Sequence, residues 1–92
     1  MAIINKKCWP EMFDKFSSGE RTLELRLADF DLKNGDTLVF EEYNPETKAY
    51  TGRKASFECK KVEHSVQDPL KFYEAEDVKK HGLWIVELEK KS

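Results

Sequence analysis

Residues 19–26, Gly-Glu-Arg-Thr-Leu-Glu-Leu-Arg, constrain the fold more than any other part of the chain. Gly19 follows a short helical pattern and is the natural left-handed residue for ending it. A strand begins at once: Leu23, Leu25 and Leu27 alternate with Thr22, Glu24 and Arg26, the period-two pattern of a half-buried strand. The alternation predicts that the leucines face a core, with Glu24 and Arg26 together on the opposite face. Arg21 then stands at the strand mouth. A carboxylate between two guanidinium groups on a rigid strand suits recognition or chemistry. It also suits a surface ion-pair ladder, whose pairs contribute only ~0–1 kcal/mol.

The neighbouring segments can be read in order. Residues 2–8 form a first strand with Ile3 and Ile4 as its apolar content. Trp9-Pro10-Glu11 opens a helix over about 10–18, since proline suits the first turn and Glu11 and Asp14 suit the positive end of the dipole. Met12, Phe13 and Phe16 share one face of that helix, which reads as core. Trp9, at the strand-to-helix junction, is placed to line a pocket as a stacking surface. Asn34-Gly35-Asp36 is a turn, and 37–43 is a strand with Leu38 and Phe40 on one side and Val39 on the other. Residues 44–48 read as a hairpin loop. The returning strand runs from Tyr50 toward Val62, with Gly52 marking a bulge. A short helical segment is expected near 69–78, and 83–88 forms a last strand that is apolar on both faces and therefore interior to the sheet.

Ninety-two residues make one domain spanning 1–92, and a chain this short buries only roughly 60–65 percent of its unfolded surface. Six Phe, three Tyr and two Trp supply the aromatic area that such a core needs. The fold class expected is α+β and mostly β: a small bent sheet or barrel of five to six strands, with the first helix plugging one end. The formal net charge of -2 argues against a protein that binds nucleic acid through a general basic field. No apolar run is long enough for a signal peptide or a membrane span. Cys8 and Cys59 have no redox or metal spacing and read as reduced thiols of a cytoplasmic protein. His64 and His81 are isolated, so neither a metal nor a cofactor is expected.

Residues 19–26 resemble the G-x-K-x-x-E-x-R signature of the ASCH family (activating signal cointegrator homology), a branch of the PUA-like superfamily. Lys7-Cys8-Trp9-Pro10-Glu11-Met12-Phe13 is similar to that family's strand-to-helix transition, and Asn34-Gly35-Asp36-Thr37-Leu38 to the G-D-x-L of its next strand. Glu42-Tyr43 and Tyr50-Thr51-Gly52-Arg53 resemble a subgroup of small stand-alone bacterial members. The resemblance implies a PUA-like β-barrel with a cleft between the barrel and the helix before the signature. It implies two functions: RNA binding, and, in one small branch, metal-free hydrolysis of N4-acetylcytidine and related N4-acylcytidines by a Thr-Lys-Glu arrangement. At the positions of the branch's lysine and threonine this chain has Arg21 and Glu24. The branch's glutamate corresponds to Glu74, or else Glu76.

Amide hydrolysis without a metal needs activated water, oxyanion stabilisation and a proton for the leaving nitrogen. The catalytic residues expected are Glu24 as general base, Arg21 holding the acyl oxygen, Glu74 in a second proton-transfer role, and Lys7 standing in space for the signature lysine. Arg21 itself cannot shuttle a proton, because guanidinium stays charged. Arg26, Arg53, Trp9 and Tyr50 are the expected substrate-binding residues. Thr22 reads as a β-branched strand residue, and Cys8 has no histidine spaced to activate it. The first expectation is thus an amidohydrolase acting on a small nucleoside, which suits an acidic free-standing domain. The second is a non-catalytic module for single-stranded RNA, in which Arg21, Arg26, Arg53 and Lys7 contact phosphate or base edges and Trp9 or Tyr50 stacks a base. Glu24 then braces the two arginines. A third is a structural or protein-binding domain.

Overall fold

The computed structural model describes residues 1–67 and 73–91. The elements run β1 (Ile3–Cys8), α1 (Pro10–Ser18), β2 (Leu23–Leu27), β3 (Thr37–Asn44), β4 (Ala49–Ser65), α2 (Ala75–His81) and β5 (Leu83–Lys90). All five strands join one sheet in the order β1-β3-β4-β5-β2. β1 pairs with β3 in parallel, and the other three pairings are antiparallel. β4 is 17 residues long and serves β3 with its first part and β5 with its second. The sheet therefore curls into a half-barrel, mostly β as the sequence predicts, with β1 and β2 as its two edges. No helix among the described residues is long and apolar enough to cross a membrane.

Local signals place α1. Pro10 occupies its first turn, where no amide partner is required, and the Phe13 N–H donates to the Trp9 carbonyl at 2.8 Å. Gly19, at φ 82°, ends the helix by donating its N–H to the Phe16 carbonyl. Phe13 and Phe16 are buried. The Phe16 ring lies 4.9 Å from Phe40 of β3 and 6.0 Å from Phe57 of β4, and these two are 5.3 Å apart. This aromatic triad, with Leu38, Cys59, Val86 and Leu88, forms the core on the concave side of the sheet. β5 has a strand on each side, in line with its apolar sequence. Cys8 and Cys59 are both buried free thiols.

One expectation needs correction. The facing of β2 is reversed: Glu24 is 6% exposed and Leu23 51% exposed, while Leu25 and Leu27 are half-buried. α2 packs against β2, so a purely solvated outer face does not exist. Alternation reports the period of a strand and leaves open which face looks inward. The second helical segment, expected near 69–78, is present as α2 over Ala75–His81; residues 69–72 of the expected span lie outside the described residues.

The bulge expected at Gly52 is present. Glu41 pairs with Lys54 and Tyr43 with Tyr50, so three residues of β4 oppose Glu42 alone. Extra residues on one strand bend it and re-aim its side chains. Here Thr51 and Arg53 are both turned onto Glu42.

Candidate functional site

The gap between the sheet edges is the natural place for a site, because β1 and β2 are not paired with each other. A cleft of about 240 Å³ opens there, lined by Lys7, Cys8, Trp9, Glu24, Arg26 and Tyr73, with α1 beside it. Glu24 lies deepest. Its Oε1 accepts the Leu25 N–H at 2.9 Å and its Oε2 accepts Arg26 Nε at 3.0 Å. Arg26 also donates through Nη2 to the Lys7 carbonyl at 2.6 Å, and its guanidinium stands 5.4 Å from the Phe40 ring centroid. One arginine thus ties β2 to β1, holds the buried carboxylate and caps the aromatic core.

The other cleft residues differ in character. Trp9 is 62% exposed at the rim, a flat apolar surface that the N-cap position of α1 holds outward. The Lys7 ammonium sits 4.4 Å above the Tyr43 ring. The Tyr73 hydroxyl donates to the Leu25 carbonyl at 3.4 Å. Burial, and then the charge of Glu24, push the Cys8 thiol up to about 11, so at neutral pH it is a thiol and not a thiolate nucleophile. Arg21 adjoins the cleft rather than lining it: Nε donates to the Leu23 carbonyl at 2.9 Å, and the guanidinium lies 5.6 Å from the Phe16 ring.

The remaining expected site residues stand elsewhere. Arg53 faces Glu42, which is 4% exposed. Glu42 Oε1 accepts Thr51 Oγ1 at 2.6 Å and Arg53 Nε at 2.8 Å, and its Oε2 accepts Arg53 Nη2 at 2.6 Å. The same Nη2 reaches Asp14 of α1 at 2.8 Å. These bonds, Arg53's foremost, pull the Glu42 carboxyl down to about 2 and raise the affinity of Arg53 for its proton, with Asp14 adding to the effect. Tyr50 packs edge-on against Tyr43 at 5.2 Å and is half-exposed. Glu74 is the N-cap residue of α2 and Glu76 lies in its first turn. Both are exposed, and neither lines the Glu24 cleft.

The structure therefore brings Lys7, Trp9, Glu24 and Arg26 together, sets Arg21 beside them, and places Arg53, Tyr50 and Glu74 apart. It adds Tyr73, a residue 48 positions from Leu25 whose approach no local pattern announces. It also adds Glu42 as the partner of Arg53; only the bulge at Gly52 hinted that β4 re-aims side chains there. Among the described residues no three His, Cys, Asp or Glu side chains converge in a way that could hold a metal ion.

No curated protein matches this chain in sequence. The crystal structure of the hypothetical protein PH0355 is similar, with a TM-score of 0.72 and 19% identity, covering 99% of this chain and 100% of that one. At that identity the likeness concerns the fold alone. Residues 4–77 match the family described as Domain of unknown function (DUF3850), and the chain belongs to that family.

Proposed function

We propose that the Glu24 cleft binds a single unpaired nucleotide whose base presents an exocyclic amine next to ring acceptors, as cytosine does. The observation that carries this reading is the Glu24–Arg26 pair, which sets a buried acceptor beside a cationic donor at 3.0 Å. A carboxylate accepts from the cytosine amine, and the pairing discriminates between bases by about 1–3 kcal/mol. Trp9 at the rim offers a stacking face, the usual means of holding a splayed-out base. The cleft, at about 240 Å³, is smaller than the ~300–1,000 Å³ of drug-sized sites, which suits one base. The resemblance of residues 19–26 to the ASCH signature supports the same reading.

Fluorescence titration with cytosine-rich and uracil-rich single-stranded RNA tests it. The expected result is quenching of Trp9 emission, tighter binding of the cytosine-rich strand, and loss of most of that preference in Glu24→Met. Equal affinity for both strands, or an unchanged preference in the variant, overturns the reading.

A second reading rests on the same cleft: metal-free hydrolysis of N4-acylcytidines. The observation favouring it is that Glu24 and Lys7 both line the cleft. Glu24 would take a proton from water as its oxygen adds to the acyl carbon. The C–N bond then breaks, and the amine leaves with a proton from the Lys7 ammonium. Cytidine formation from N4-acetylcytidine in the presence of chelator, abolished in Glu24→Gln, would establish hydrolysis. Absence of turnover leaves the site a binding site.

A further inference from the structure

A second cleft, of about 600 Å³, lies on the other side of α1 and is lined by Arg53, Lys54, Lys90 and Lys91 with Phe13 and Ser17 of the helix. The chain has 16 Lys and Arg against 18 Asp and Glu, yet no carboxylate is among the residues lining this cleft. Two of its cations are held by neutral groups. Lys90 Nζ donates to the Ser17 carbonyl at 2.9 Å, and Lys91 Nζ to Thr37 Oγ1 at 2.7 Å. An ammonium has three donors, so each retains donors after these bonds. Among the described residues neither meets a carboxylate within ion-pair distance, whereas Lys54 approaches Glu41 at 3.5 Å and Arg53 is tied to Glu42 and Asp14.

We infer that this cleft is a phosphate-binding track for the sugar-phosphate backbone of a single-stranded nucleic acid. The inference rests on the nucleotide reading of the Glu24 cleft and extends it. Met12 and Phe16 of α1 border that cleft, and Phe13 and Ser17 border this one. α1 has nine residues and a helix is only about 10–12 Å wide with its side chains. A strand with one base beside Glu24 crosses α1 and lays its next phosphates against Lys90, Lys91 and Lys54. The local track supplies the phosphate contacts that an overall charge of -2 withholds.

The test uses the double variant Lys90→Gln/Lys91→Gln, with Lys79→Gln/Lys80→Gln of α2 as a control carrying the same change in net charge. The probes are a cytosine-rich RNA, an abasic deoxyribose-phosphate strand and free cytidine. The expected result is that the first variant weakens both strands roughly tenfold at low salt and makes the log-affinity against log-salt slope shallower by about 1.4, two contacts at ~0.7 each. The control leaves both strands and the slope unchanged. Failure of the abasic strand to bind the wild type, an unchanged slope in the cleft variant, or an equal loss in the control overturns the inference. Cytidine separates the two readings: its failure to bind overturns the base site, while the abasic strand still decides the phosphate track.

Discussion

Among the described residues Glu24, Asp36 and Glu42 are the buried carboxylates, and the groups that satisfy each bear on its role. A buried charge persists only when paired or hydrogen-bonded. Asp36 accepts the N–H groups of Ala2 and Lys33, both at 2.9 Å, which hold its carboxyl below the usual range and pin the turn at 33–36 to the start of β1. Glu42 accepts from Thr51 and Arg53, both on the bulged stretch of β4, and so anchors that bulge. Its carboxyl is pulled down to about 2, whereas an unfolded glutamate titrates near ~4.3. A depressed carboxyl stabilises the fold above the unfolded value, and that contribution is lost as the pH falls from there toward the folded one. Thermal melting between pH 7 and pH 2.5 should therefore show a fall in Tm below about pH 4.3. Glu42→Gln should lower Tm at pH 7 and flatten part of that fall, with Asp36 supplying the remainder. A Glu42→Gln profile parallel to that of the wild type would show that Glu42 contributes no pH dependence.

At the scale of elements, α1 matters most, since it closes the core on one side and separates the two clefts. Phe16 is 2% exposed and touches the rings of both Phe40 and Phe57. Phe16→Ala should cost about 3–5 kcal/mol, the range for aromatic truncations in a well-packed core, read as a lower urea midpoint with the slope unchanged. Loss below about 1 kcal/mol would show that α1 is not integral to the core. This helix was legible in the sequence because its signals are local: Pro10 at the start, Gly19 at the end, and an apolar face between them. The hairpin at 45–48 and the bulge at Gly52 were legible for the same reason. The parallel pairing of β1 with β3 and the facing of β2 were not, because each depends on partners distant in the chain. Leucine alternation suggested the wrong inner face precisely where Arg26 reaches β1 and Glu24 is needed at a cleft. The candidate site was legible as residues 7, 9, 24 and 26, while Tyr73 entered only through the tertiary fold.

For the whole molecule, the open side of the half-barrel is the deciding feature. The sheet does not close by strand pairing, and the Arg26 bond to the Lys7 carbonyl at 2.6 Å spans the gap between its edges. The guanidinium that makes this bond is also paired with Glu24 on its own strand, and such a pair is an inefficient route to stability, since a buried pair is often matched or exceeded by apolar side chains of similar volume. Removing one partner is different, because it strands the other charge. Arg26→Ala should therefore destabilise the fold by up to about 3–5 kcal/mol, while Glu24→Met/Arg26→Met should recover most of that loss in urea denaturation. If stability were the reason for the pair, the double variant would be as weak as Arg26→Ala, and the gap would be a structural seam. If the pair exists for recognition, the double methionine variant folds with near wild-type stability yet no longer prefers cytosine-rich strands. That combination, a stable half-barrel with an inert opening, is the outcome expected here. It would mean that the protein keeps its sheet unclosed at β1 and β2 to hold a charged floor within reach of a ligand.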